Sequence, residues 1–115
     1  MTTTPLQALA LLNDQAFVEL AQGLAIRVLK EGPASDAERL VYAFRLCLAR
    51  RPSSLERDRL ERLLRQQSEE YRQAPDESRA LAPENLPPNT AAPQLAAWTA
   101  VARVLLNLDE FITRE

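Results

Sequence analysis

A chain of 115 residues with 46% hydrophobic residues, two glycines and one cysteine has the length of a single domain and the makeup of continuous helices rather than of a turn-rich sheet. Fourteen basic and sixteen acidic residues leave a net charge of −2, too small for a global field that would draw in nucleic acid or an anionic membrane. The complete absence of histidine excludes Ser-His-Asp and Cys-His catalysis within the chain and removes the commonest nitrogen ligand of zinc.

Thr4 followed by Pro5 starts a helix, because threonine accepts a hydrogen bond from an orphan amide and proline suits the first helical position. A short helix over about residues 5–12 follows. Asn13 and Asp14 break the path before a second helix with Phe17, Leu20, Leu24 and Val28 on one stripe, widened by Val18, Ala21, Ala25 and Leu29. Gly32 and Pro33 stop it. No uncharged apolar run reaches the ~18 residues that a membrane span needs, so no membrane insertion is expected. Met1 to Leu12 lacks the cationic start and small-residue cleavage site of a secretory signal.

Ser35 and Glu38 have the spacing of a capping box, which opens a third helix with Leu40, Val41, Phe44, Cys47 and Leu48 on its apolar face. Cys47, flanked by Leu46 and Leu48, reads as a small apolar core residue. Arg50, Arg51 and Pro52 end this helix, placing cations near its carbonyl terminus. Ser53 and Glu56 repeat the capping-box spacing and open a fourth helix carrying Leu55, Leu60, Leu63, Leu64 and Tyr71. Asp58 with Arg62 and Glu61 with Arg65 stand four apart in the favourable order, each pair worth about 0.3 kcal/mol.

Five prolines between residues 74 and 93 are incompatible with a regular helix throughout, so a long loop is expected there. The last helix runs from about Pro93 to Asn107, with Leu95, Trp98, Val101, Ala102, Leu105 and Leu108 at helical spacing and Phe111 and Ile112 folding back over its end. The expected architecture is all-α: an irregular antiparallel bundle of four main helices plus a short N-terminal one, with a Pro-rich loop before the last helix. Its expected core comprises Leu9, Leu12, Phe17, Leu20, Leu24, Val28, Val41, Phe44, Leu48, Leu60, Leu64, Trp98, Val101, Leu105 and Phe111.

Few constellations carry chemistry. Cys47 is followed by Leu48, Ala49 and Arg50 rather than by the C-x-x-C-H of an attached haem, and Gly23 and Gly32 cannot make a phosphate-binding loop. Neighbouring carboxylates such as Glu69 and Glu70 point in different directions on a helix. Asn107, Asp109 and Glu110 offer oxygen ligands, but too few for a divalent cation's shell. The arginines from Arg50 to Arg65, including Arg51 and Arg57, are interleaved with Glu56, Asp58 and Glu61, a pattern of a salt-bridged solvent face rather than of a nucleic-acid stripe. Asn107, Asp109, Glu110, Arg51 and Arg57 are therefore interaction candidates, with no catalytic, metal or cofactor residue assigned.

Three stretches together carry a resemblance: Thr3, Thr4, Pro5, Leu6, Gln7, Ala8 and Leu9 through Leu11, Leu12, Asn13 and Phe17; Ala43, Phe44 and Arg45 through Arg51, Pro52 and Glu56; and Trp98 through Leu105, Leu106, Asn107, Glu110 and Phe111. They resemble the C-terminal domain of unknown function of planctomycete cytochrome c-domain proteins, which are large multidomain chains. The resemblance implies a single helical domain at the end of a longer protein, haem bound upstream rather than in this fragment, and a periplasmic or cell-envelope setting. It supplies no catalytic residue, and Asp109 stands where asparagine is common in the family. The expected role is noncatalytic, docking on upstream domains of the same chain. The alternative is an enzyme site shared with a missing upstream domain, to which Asn107, Asp109 and Glu110 would contribute. The oligomeric state is left open.

Overall fold

The structure, a computed structural model, describes residues 15–83 and 86–113, with side chains described as far as Leu108. The described residues form five helices and no strand: α1 (Gln15–Glu31), α2 (Asp36–Leu48), α3 (Ser54–Gln73), α4 (Pro75–Leu81) and α5 (Ala92–Thr113). The protein is all-α. The short helix expected over residues 5–12, with Leu9 and Leu12, lies outside the described residues, as do the side chains of Asp109, Glu110 and Phe111.

Helix α5 is the centre of the bundle. It packs most extensively on α1 and α3 and also meets α2 and α4. Trp98, Leu95, Val101 and Leu105 on α5 are fully buried with Phe44 and Leu40 of α2 and Val28 of α1, and Leu60 and Leu64 of α3 close the same cluster. Each large side chain of this kind contributes about 1.5–3 kcal/mol by leaving water.

The buried line of α1 is Ala21, Ala25 and Val28, whereas Leu20, expected in the core, is 59% exposed. Phe17 is half-buried, and Leu24 packs against the core from its edge. The stripe has turned about one residue from the line of largest side chains. Alanines at the contact let two helix backbones approach closely, and Ala97 of α5 is likewise fully buried. Leu55 is corrected in the same way: it is exposed beside the N-cap of α3, and Leu108 is partly exposed on α5.

The expected loop over residues 74–93 contains a helix. Pro75 occupies the first turn of α4, where its missing N–H is not needed, and Asp76 and Glu77 complement the positive end of the helix. Ser78 is fully buried and its hydroxyl donates to Pro75 O at 2.9 Å, while Gln22 Nε2 of α1 donates to Leu81 O at 2.7 Å. The prolines thus bracket a short helix rather than forbid one. After it, Pro88 and Asn89, the latter at φ 62°, make a turn closed by Thr90 N–H to Pro87 O. At the other end, α5 continues to Thr113, so the expected helix end at Asn107 and the fold-back of residues 111 and 112 are replaced by unbroken helix.

Candidate functional site

Helix α2 has two faces, and the core uses only one. Leu40, Ala43 and Phe44 are buried and Cys47 packs beside them. Glu38, Val41, Tyr42, Arg45, Leu46 and Ala49 follow at the i, i+3, i+4, i+7, i+8, i+11 spacing of a second stripe, and together they line a groove of about 710 Å³. Pro33 and Ala37 shape one end, and Arg51 and Arg57 stand at the other. Val41, expected in the core, is a half-buried part of this groove.

Local sequence sets both ends. Gly32 donates to Val28 O at 2.9 Å where α1 ends, and a Cβ there would lie 2.4 Å from that oxygen and 3.1 Å from Tyr42 Cδ2. Only glycine lets the chain pass so close to the Val28 carbonyl, with the α2 tyrosine packed beside it. Arg39 then fastens the link, donating from Nε to Pro33 O at 2.9 Å and pairing with Asp36 at 3.0 Å. Ser35 caps α2 by accepting from Glu38 N–H, but its hydroxyl donates to the Glu38 carboxylate. The expected reciprocal box is therefore half formed here.

At the opposite end, Ala49 adopts a left-handed φ of 58° and donates its N–H to Arg45 O, turning the chain out of α2. The next two arginines diverge in role. Arg50 donates two hydrogen bonds to the Glu56 carboxylate, at 2.9 and 3.0 Å, and its guanidinium carbon lies 4.9 Å from the centre of the Phe44 ring. Glu56 also accepts from Ser53 N–H at 2.8 Å while Ser53 Oγ accepts from Glu56 N–H, so the expected capping box of α3 is complete. The Arg50 guanidinium, followed by the Ser53 amide, pulls the Glu56 carboxyl from its usual 4.5 down to about 2. Arg51 is left to line the groove.

Of three guanidiniums in the groove, Arg57 reaches Glu61 at 3.9 Å, and Arg45 and Arg51 have no carboxylate partner among the described residues. That Glu61 contact stands in place of the expected pairing of Glu61 with Arg65. Glu38, the only acid among the described lining residues, is engaged by the Ser35 hydroxyl. The groove therefore carries a surplus of two positive charges on a chain whose net charge is −2. A smaller groove of about 320 Å³ between α2 and α3 balances Asp36 and Glu61 against Arg65 and Arg72 and has no such surplus.

Two sequence candidates, Arg51 and Arg57, thus come together on one surface, whereas Asn107 is half-buried on α5 and is not part of the groove lining. Asp109 and Glu110 have side chains outside the described residues. Sequence reasoning passed over Arg45, Tyr42 and Leu46. The signal was present, since α2 carries apolar residues on more of its circumference than one core contact can cover. Among the described residues no cluster of acids and cysteine is placed to hold a metal ion, and no helix is long and apolar enough to cross a membrane.

Comparison with curated proteins and with solved structures found no match. A family model, PSD1, described as a protein of unknown function (DUF1553), matches residues 1–64. That stretch holds every residue lining the larger groove. With more than half of its length matched, the chain belongs to the PSD1 (DUF1553) family.

Proposed function

We propose that this chain is a noncatalytic docking domain that works through the outer face of α2. The observation that carries the reading is the groove itself: Val41, Tyr42 and Leu46 beside two arginines without carboxylate partners among the described residues, on the stripe of α2 next to the one that forms the core. Apolar floors with a charged rim are how helical domains hold partner segments. The resemblance to planctomycete cytochrome c-domain proteins supplies the setting. In that setting the domain docks on upstream domains of its own longer chain, in the periplasm or cell envelope, and haem chemistry belongs to the cytochrome module.

Affinity capture or native mass measurement with the separately expressed upstream region tests this reading. Association that is lost when Leu46→Ser is introduced on the groove floor supports it. No detectable association at high micromolar concentration overturns it.

A further inference from the structure

The occupant's chemistry can be read from the groove, on the premise that this face docks a partner. We propose that it receives an acidic amphipathic polypeptide segment, with carboxylates on Arg45 and Arg51 and an apolar side chain on the floor made by Val41, Tyr42 and Leu46. The lining runs along α2 from Ala37 to Ala49, about 18 Å at the helical rise. That length suits a short helix or an extended strand of a partner rather than a single small anion. The cations are concentrated at one end, where Arg45, Arg51 and Arg57 flank the corner into α3, and Glu38 lies toward the other. A segment with its acids at one end and an apolar anchor in the middle fits this polarity.

The same features select against nucleic acid. Phosphate binding gains from a run of unopposed cations, and here a carboxylate, Glu38, sits in the groove and the apolar side chains of Val41 and Leu46 lie among the cations. Guanidiniums facing carboxylates gain instead from paired hydrogen bonds, a geometry that the neighbouring Arg50 already shows with Glu56. The corner presets the arrangement. Because Arg50 is committed to Glu56 and to the Phe44 ring, Glu56 does not claim Arg51, which has no acidic partner among the described residues.

The test is to pan a random peptide library against the intact chain and against the double variant Arg45→Glu, Arg51→Glu, with circular dichroism verifying that both are folded. The expected result is a set of peptides rich in Asp and Glu around one large apolar residue. Their binding should weaken on the order of tenfold or more in the double variant and fall with added salt. Replacing the peptide acids by lysine should restore binding to that variant.

Enrichment of neutral or basic peptides, no enrichment at all, or equal binding to both proteins overturns the proposal. So does preferential binding of oligothymidylate, or a concentration-dependent dimer abolished by the double variant, which would make the occupant a nucleic acid or a second copy. Upstream-region binding that survives the double variant sinks this inference and leaves docking standing. Acidic-peptide binding without upstream-region binding does the reverse.

Discussion

Replacing Glu56 by glutamine probes the corner that joins α2 to α3. The side chain accepts two hydrogen bonds from Arg50 and one from Ser53 N–H. The folded protein holds its carboxyl at about 2 against a usual 4.5. At about 1.4 kcal/mol per pH unit that interval corresponds to roughly 3 kcal/mol. A third of the side chain faces water, however, and solvent screening reduces the contribution to about 1 kcal/mol. A carboxyl whose pKa is lower in the folded state stabilises the fold fully above its unfolded value. That contribution is lost as pH falls through the folded value. The stability difference between wild type and Glu56→Gln should therefore be about 1 kcal/mol at neutral pH, decline below about pH 4.5 and be lost as pH falls through about 2. Urea unfolding followed by the fluorescence of Trp98, the single tryptophan, measures it at each pH. A difference that stays constant across this window, or no difference at neutral pH, refutes the account of the corner.

Three further substitutions test the packing. Ala49 sits at φ 58°, so Ala49→Gly should raise stability by about 0.5–1 kcal/mol by relieving a left-handed residue with a Cβ; a lower urea midpoint would contradict this. Gly32→Ala should destabilise by about 1–3 kcal/mol, because the new methyl would meet Val28 O at 2.4 Å; an unchanged thermal midpoint would show that the approach is looser. Leu20→Ser should change stability by less than about 0.5 kcal/mol, whereas Leu40→Ala, at a fully buried position, should cost about 2–5 kcal/mol; similar losses for the two in urea titrations would refute the orientation of α1 and the position of the core.

Glu56 and Leu20 show how far a sequence reaches. The capping box at Ser53 and Glu56 was legible because its two partners are three residues apart and the chemistry is complete within one helical turn. The same holds for the proline stop after Arg51, for the α5 stripe through Leu95, Trp98, Val101 and Leu105, and for the all-α class. The buried side of α1 was legible only in part: Val28 and the widening alanines lie on it, but Ala21 and Ala25 win the core from Leu20 through the closeness of α5, and closeness is a property of two helices. Helix α4 was hidden for a different reason. Counting prolines over residues 74–93 misses that Pro75 stands at the one helical position where proline is favoured.

By itself, then, the sequence determined four of the five described helices, the N-caps of α2 and α3 and the absence of histidine chemistry, since each rests on residue identity and spacing within a few turns. Only the tertiary structure decided that Ala21 and Ala25 rather than Leu20 face the core from α1 and that Arg45, Arg51 and Arg57 share a groove with Tyr42 and Leu46. Those residues belong to a helix, a corner and the next helix. What brings them together is the left-handed turn at Ala49 and the Arg50–Glu56 pair, which sets the direction in which α3 leaves α2.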